Sequence, residues 1–178
     1  MNVIIEQSQK HALDINILKA HLRIEHPHED EYLKSIIDMA TEILETSIEK
    51  PILKKKYQCI HYCNEFTSTV RIPIPVREVR EILSVRKLQR CPKRQPEDVK
   101  FSIETNHDTT ILVTNWVAHP LEIRYSAGMT GNPDKIPKTI QFAILQIAKN
   151  IYECSDENVL ESKYIKHIID ANRALIIN

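Results

Sequence analysis

Apolar residues in the first part of the chain recur every three or four positions, the spacing of one face of an α-helix. Asp14, a residue type that caps helix starts, precedes the first run, which predicts a helix over residues 14–24. Three carboxylates at 29–31 open a second run, where they favour the positive end of a helix dipole. This run predicts a long helix over residues 29–50 that ends before Pro51. Its predicted core residues are Leu33, Ile36, Ile37, Ala40, Ile43, Leu44 and Ser47.

The apolar spacing changes to two from about residue 55, which is the period of a half-buried strand. Segments rich in Val, Ile, Thr and Tyr predict a small antiparallel sheet within residues 55–125. Pro73 and Pro75 lack the N–H that a ladder needs, so their strand is predicted at a sheet edge. The predicted strands are Tyr57–Tyr62, Thr69–Ile74, Arg80–Leu88, Lys100–Glu104, Thr109–Thr114 and Leu121–Tyr125.

The helical period returns at Pro137, whose missing N–H needs no partner in the first turn of a helix. We predict a helix over residues 137–152 and a C-terminal helical extension over 155–178. The predicted fold class is α+β: a helical bundle of two N-terminal helices plus the late helix, a small antiparallel sheet, and the extension. Residues 1–154 are predicted to form the main domain.

Both glycines of the chain, Gly128 and Gly131, lie between the last predicted strand and the late helix. Glycine tolerates positive φ, so we predict a turn at this point. The segment has neither the lysine and hydroxyl of a Walker loop nor the spacing of a dinucleotide-binding loop, which argues against a phosphate site.

The formal charge is balanced, with 24 basic and 24 acidic residues, so attraction of the whole molecule to nucleic acid or an anionic membrane is not expected. The charge is uneven along the chain, because residues 51–100 carry 12 Lys or Arg and 5 Asp or Glu. A cationic cluster in this part is either a solvated hairpin loop or a loop that meets DNA or an acidic partner. Its residues are Arg86, Lys87, Arg90, Lys93 and Arg94.

The apolar residues of the C-terminal segment allow two interpretations. The helix packs on its own domain, or it is an arm that becomes ordered on a partner protein or a neighbouring subunit. The residues of this candidate arm are Tyr164, Ile168, Ile169, Leu175, Ile176 and Ile177.

The cysteines offer little support for metal or thiol chemistry. Cys59, His61 and Cys63 share one face of a predicted strand, and Cys91 is a possible fourth metal ligand. Structural zinc sites, however, favour Cys-x-x-Cys turns. A half-buried strand also places small apolar residues such as cysteine at every second position. Cys154 has no sequence-evident histidine partner. The four thiols are predicted to be reduced, and we expect no metal, cofactor or catalytic residue.

His26 and His28 flank Pro27 beside three carboxylates, an arrangement that a solvated helix start explains without acid–base catalysis. No stretch reaches the roughly 18 apolar residues that cross a bilayer, and the first residues do not resemble a secretion signal. We therefore expect no membrane partner and synthesis in the cytoplasm.

Three segments, "LDINILKAHLRIEHPHEDEYLKSIIDMATEILET", "RIPIPVREV" and "EIRYSAGMTGNPDKIPKTIQFAILQIAKNIYE", together resemble the head–tail connector (adaptor) proteins of tailed bacteriophages, prophages and gene transfer agents. The resemblance covers roughly residues 13–153 and depends on the order of the motifs. Cys154 and Ser155 stand where the family often has Asn-Arg. The matching residues are Lys19, His21, Leu22, Arg23, Asp30, Ala40, Glu42, Pro73, Pro75, Tyr125, Ala127, Gly128, Pro137, Tyr152 and Glu153.

The resemblance implies a structural virion protein at the head–tail junction, made in the cytoplasm of a bacterial host, and not an enzyme. It makes the portal protein or a neighbouring subunit the implied contact of the C-terminal arm. It implies a homo-oligomeric ring beneath the portal protein, a channel for packaged DNA without sequence-specific contact, and a docking platform for a tail or stopper protein. The alternatives are a sequence-independent nucleic-acid-binding module, which would bind DNA in a salt-dependent way, and a small metal or thiol enzyme.

Overall fold

The computed structural model describes residues 2–7, 10–62, 69–88, 97–106, 109–115 and 120–173. Helices and antiparallel strands both occur, so the predicted α+β class is confirmed. The helices are α1 (Ile15–Leu22), α2 (Asp30–Ile48), α3 (Lys138–Tyr152) and α4 (Lys163–Asn172), with 3-10 turns at Pro133–Lys135 and Val159–Glu161. The strands are β1 (Asn2–Gln7), β2 (Lys55–His61), β3 (Thr69–Pro73), β4 (Val79–Lys87), β5 (Glu97–Asp98), β6 (Phe101–Asn106), β7 (Thr109–Asn115) and β8 (Leu121–Ala127).

The chain divides into two compact units, each with its own apolar core. Residues 1–7 and 54–128 form the strand unit, and residues 8–53 and 129–178 form the helical unit. The core of the strand unit is built from sheet residues such as Tyr57, Leu112 and Tyr125, and the core of the helical unit comes from all four helices.

The helix starts and ends follow from local chemistry. The Asp14 carboxylate accepts a hydrogen bond from the Asn16 backbone N–H at 2.9 Å, which satisfies one of the free donors at the start of α1. Arg23 and Glu49 end α1 and α2 in the left-handed conformation, and Pro137 precedes α3 as its N-cap residue. The predicted helix limits therefore agree with the structure to within two residues at each end for the first three helices.

The buried face of α2 differs in part from the prediction. Ile43 is 36% exposed and Ser47 is half-buried, whereas Thr41 and Ile48 are buried. Thr41 enters the core because its hydroxyl donates to the Ile37 carbonyl at 2.7 Å, so burial leaves no unsatisfied group. The prediction followed the helical period, which placed Ser47 on the buried face and left out Thr41 and Ile48.

The strand unit contains two antiparallel sheets instead of the one predicted sheet. The five-stranded sheet has the order β1-β2-β8-β4-β5, and the three-stranded sheet has the order β3-β7-β6. Strand β3, which carries Pro73, lies at a sheet edge as predicted. The prediction missed β1, whose apolar residues do not alternate with polar ones, and β5, which is two residues long.

The two glycines differ in conformation. Gly128 has φ 142°, a value that L side chains rarely adopt, and its N–H donates to the Glu78 carbonyl at 3.0 Å. Gly131 has no positive φ, and nothing lies within 4 Å of the position that a Cβ would take there. Of the two glycines, Gly128 is therefore the one with positive φ, and the 3-10 turn Pro133–Lys135 follows Gly131.

Candidate assembly surfaces

No metal or thiol site is found among the described residues. They contain no group of three or more His, Cys, Asp or Glu side chains that could hold a metal ion. Burial raises the pKa of the Cys59 thiol and lowers the pKa of the His61 imidazole, so both groups favour their neutral forms. Cys63 and Cys91 lie outside the described residues. Cys59 and His61 are therefore neutral side chains of strand β2.

The acidic start of α2 and the exposed Cys154 are also surface features. The rings of His26 and His28 are tilted against each other with centroids 5.6 Å apart, and both residues are exposed. Cys154 is exposed in a left-handed conformation just after α3. These positions form a solvated loop and a helix end rather than a closed catalytic cleft.

Arg86 and Lys87, the described part of the cationic cluster, form ion pairs across two neighbouring strands. Arg86 donates to Asp98 at 3.2 Å, and Lys87 donates to Glu97 at 3.2 Å, across the β4–β5 pairing. These opposite-charge pairs stabilise the short hairpin. The other three predicted residues, Arg90, Lys93 and Arg94, lie outside the described residues.

Helix α4 contributes two core residues and one exposed aromatic residue. Ile165 and Ile169 are buried in the helical core, and Ile168 packs against that core. Tyr164 is 77% exposed, which is the largest exposure among the described large apolar residues. Arg173 donates to Glu49 at 2.9 Å just after the helix. Leu175, Ile176 and Ile177 lie outside the described residues, so the arm and the separate extension over 155–178 stay predictions.

A set of exposed apolar side chains on α2 and α3 was not predicted. Tyr32, Met39 and Ile43 recur at seven and four positions along α2, and each is at least 36% exposed. The Tyr32 ring lies 6.4 Å from the Tyr152 ring, which places the two helices side by side at this point. Phe142 adds an aromatic side chain on α3 that is 45% exposed. Ile43 gave no signal of this exposure, because it follows the same helical period as the buried residues Ile36 and Ala40.

Tyr152 connects the end of α3 with the start of α2. Its hydroxyl donates to the Glu29 carboxylate at 2.9 Å, although the two residues are 123 positions apart in sequence. This hydrogen bond raises the pKa of Tyr152, since the carboxylate stabilises the protonated phenol. The contact gives the Tyr-Glu motif of the late helix a structural role that its sequence did not reveal.

A cleft of about 570 Å³ lies in the helical unit, between residues 10–17 and residues 132–141. Cations and carboxylates both line it, including Lys10, Asp14, Asp134 and Lys138.

The strand edges are the second surface feature that was not predicted. Strand β1 pairs with β2 on one side, and its Val3, Ile4 and Ile5 side chains are 49%, 48% and 43% exposed. On the three-stranded sheet, Phe101 and Ile103 of the edge strand β6 are 38% and 49% exposed. The run of three consecutive apolar residues near the chain start was the signal available in the sequence.

Comparison with known proteins identifies the class. The sequence profile of the family described as "Phage gp6-like head-tail connector protein" matches residues 13–106, which is more than half of the chain. The chain belongs to this family and is a structural protein of the head–tail connector class. A comparison with curated proteins found no match. Within the described residues, no helix is long and apolar enough to cross a membrane.

Solved structures of gene transfer agent particles contain chains with the same fold. In "Neck of empty GTA particle computed with C6 symmetry", one chain matches with a TM-score of 0.80 at 15% identity, covering 100% of this chain and 97% of that one. "Virion of native gene transfer agent (GTA) particle" gives 0.79 at 15% identity, with the same coverage. "Neck of native GTA particle computed with C12 symmetry" gives 0.78 at 14% identity, again with the same coverage.

Proposed function

We propose that this chain is a ring-forming connector subunit that docks beneath the portal, extends the DNA channel and presents a platform for the tail or stopper protein. The observation that carries this proposal is the match of residues 13–106 to the connector family. The near-complete structural coverage of chains from gene transfer agent necks supports it. Such a subunit acts through its interfaces and performs no covalent chemistry.

Cyclic assembly is the form of oligomer that fits this role. The titles of the two neck structures name C6 and C12 symmetry, and both are cyclic. A ring closes only through heterologous contacts, in which one face of a subunit meets a different face of the next. Exposed apolar surfaces in both compact units support the proposal, because large exposed apolar side chains on a soluble chain mark interaction sites when they cluster.

A balanced surface suits a channel through which DNA of any sequence must pass. The formal net charge is zero, and the described cations of the basic cluster are paired with carboxylates. A strongly cationic channel would hold the phosphate backbone through counterion release and slow its passage. Basic residues of the ring that meet the DNA would contact its phosphates, which carry no sequence information. We therefore propose that the packaged DNA passes through the ring without base-specific contacts.

Assembly with the portal tests the proposed function. Mass photometry of the purified chain, first alone and then with the portal protein encoded nearby, measures the mass of every species present. We expect a ring-sized species, with or without the portal, whose mass contains a multiple of the 20.7 kDa chain. A chain that stays monomeric and ignores the portal would contradict the proposal, and salt-dependent DNA binding by that monomer would favour the nucleic-acid alternative.

The basic cluster is proposed to lie at the channel or at an interface between rings. Serine at Arg90, Lys93 and Arg94 removes three charges without touching the β4–β5 ion pairs. Serine at Lys54, Lys135 and Lys138, all exposed, is the charge-matched control. We expect only the first variant to impair ring docking or genome retention in an assembly assay. Equal behaviour of the two variants would rule out a specific role for the cluster.

The C-terminal arm needs a shorter deletion than the whole extension. Removing residues 155–178 also removes Ile165 and Ile169 from the helical core, so loss of folding and loss of docking would be confused. Removing residues 174–178 keeps both core residues. If the segment is an arm, this short deletion leaves thermal unfolding unchanged and weakens portal binding. Unchanged portal binding would remove the arm from the proposal.

A further inference from the structure

Strand β1 has one open edge. It pairs with β2 through the register Val3 to Gln58 and Ile4 to Tyr57, and no described strand pairs with its other side. Soluble proteins protect such edges with proline, lysine, bulges or covering loops, because free N–H and C=O groups recruit further strands. Residues 2–7 contain no proline or lysine, and a bulge at Ile5 is the one such device in the strand. Three consecutive apolar residues occupy the centre of β1.

The opposite border of the same sheet is also partly open. Strand β5 covers only the end of β4, where Arg86 pairs with Asp98 and Lys87 with Glu97, and the Val99 N–H donates to the Val85 carbonyl. No described strand lies along the outer side of Glu81–Ser84. Leu83 in this stretch is 40% exposed, and it is the extra residue of a bulge in the pairing with β8.

We propose that β1 of one subunit pairs with the outer edge of β4, at Glu81–Ser84, in the next subunit, so that the five-stranded sheet continues from subunit to subunit. This inference rests on the proposed ring. The occupant of each open edge is therefore a second copy of this chain.

The strand directions support the pairing. Each neighbouring pair in the order β1-β2-β8-β4 is antiparallel, so β4 runs opposite to β1 within the sheet. When the next copy extends the sheet with its strands in the same orientation, its β1 meets β4 in the antiparallel arrangement. Two different edges of one sheet also make a heterologous contact, which is the type of contact that closes a ring.

The apolar side chains supply a second argument. Ile4 is opposite Tyr57, and Tyr57 is opposite Tyr125, so these three side chains share the face of the sheet that carries the core. Ile82 is opposite Tyr125 and lies on the same face. A β1 strand placed beside Glu81–Ser84 would cover Ile4, which is half exposed in the single chain, and extend the core face across the junction.

The open stretch of β4 is four residues long and contains a bulge, so each junction is short. Short pairings give weak contacts, and a template that holds subunits side by side raises their effective concentration. We therefore expect these junctions to form most readily on the portal.

Edge-blocking variants test the proposal. Ile4→Lys and Leu83→Lys each place a charge on one of the two edges, and Ile103→Lys is a matched control on β6, where the side chain is 49% exposed against 48% for Ile4. Circular dichroism melts establish that all three variants fold. We expect Ile4→Lys and Leu83→Lys to lose rings in mass photometry with the portal, and Ile103→Lys to keep them.

Mixing the two blocked variants separates a heterologous contact from any other. Each variant retains one intact edge, since Leu83→Lys keeps β1 and Ile4→Lys keeps β4. Their mixture should form pairs that contain one copy of each variant and extend no further. Rings in the mixture, or the absence of pairs where the wild-type chain forms rings, would overturn the proposed pairing.

Cross-linking locates the junction directly. A chain with Ile4→Cys and Leu83→Cys, treated with a short bis-maleimide on the portal, should give a ladder of covalent oligomers, whereas each single variant should not. The single variants also control for native thiols such as the exposed Cys154. Wild-type rings without a ladder, together with rings from both lysine variants, would overturn the edge pairing alone. Absence of wild-type rings would overturn the proposed function itself.

Discussion

Alanine at Gly128 should destabilise the fold, whereas alanine at Gly131 should not, although the two glycines are three residues apart. Gly128 is buried with φ 142°, and its carbonyl accepts a hydrogen bond from the Arg80 guanidinium at 2.9 Å. An alanine there must either hold this φ or move the backbone and weaken the bonds of Gly128 to Glu78 and Arg80. Gly131 is exposed and has no positive φ.

The size of the difference follows from the backbone conformation. Holding a side-chain-bearing residue in a sparsely populated region costs about 1–3 kcal/mol, so Gly128→Ala should destabilise by that amount. For a chain of this length, each kcal/mol lowers the melting temperature by about 2–4 °C, which predicts a decrease of about 2–12 °C. Gly131→Ala should range from no change to a gain of about 1 kcal/mol, because alanine restricts the unfolded chain.

Thermal unfolding of the two variants and the wild type, followed by circular dichroism under identical conditions, measures the difference. Mass photometry on the same samples excludes a change in oligomeric state. Equal melting temperatures for the two variants would refute the reasoning, since it assigns the cost to the φ of Gly128 and not to the loss of a glycine in this segment.

Three further predictions concern buried and exposed side chains. Ile144→Ala should lower the free energy of unfolding in urea by about 2–5 kcal/mol, because Ile144 is fully buried. Phe142→Ala removes a side chain that is 45% exposed, so it should lower that free energy by less than about 1 kcal/mol and weaken assembly instead. Tyr125→Phe should leave stability unchanged or raise it by up to about 1 kcal/mol, since its buried hydroxyl has no partner among the described residues; a clear loss in urea unfolding would reveal a partner. In a titration of phenolate absorbance, Glu29→Gln should move the raised pKa of Tyr152 back towards 10. The hydrogen bond between Tyr152 and Glu29 stabilises the fold below pH 10, and this stabilisation is lost as the pH rises through the raised pKa. An unchanged titration in the Glu29→Gln variant would contradict the assigned cause of the shift.

Local chemistry explains why most elements were predictable. Asp14 before an apolar run, Pro137 before another, and the two-residue period after residue 55 each report on a few neighbouring residues, and the structure keeps them. The division of the strands into two sheets depends on pairings between distant segments, such as β2 with β8, which no local pattern encodes.

The candidate surfaces show the same limit. The α2 pattern identified apolar residues but not which of them would lack a neighbour, so Ile43 was assigned to the core and is instead partly exposed. Strand β1 was missed because Val3, Ile4 and Ile5 do not alternate with polar residues, and an edge strand needs no such alternation when it has no fully buried face. The head–tail connector role was indicated by the family resemblance and not by these surfaces.

The most direct test of the connector account is cryo-electron microscopy of the chain mixed with its portal protein. The account predicts a closed ring of this chain, coaxial with the portal and continuing its channel. Portal particles without added density, or with single copies bound at irregular positions, would contradict the account.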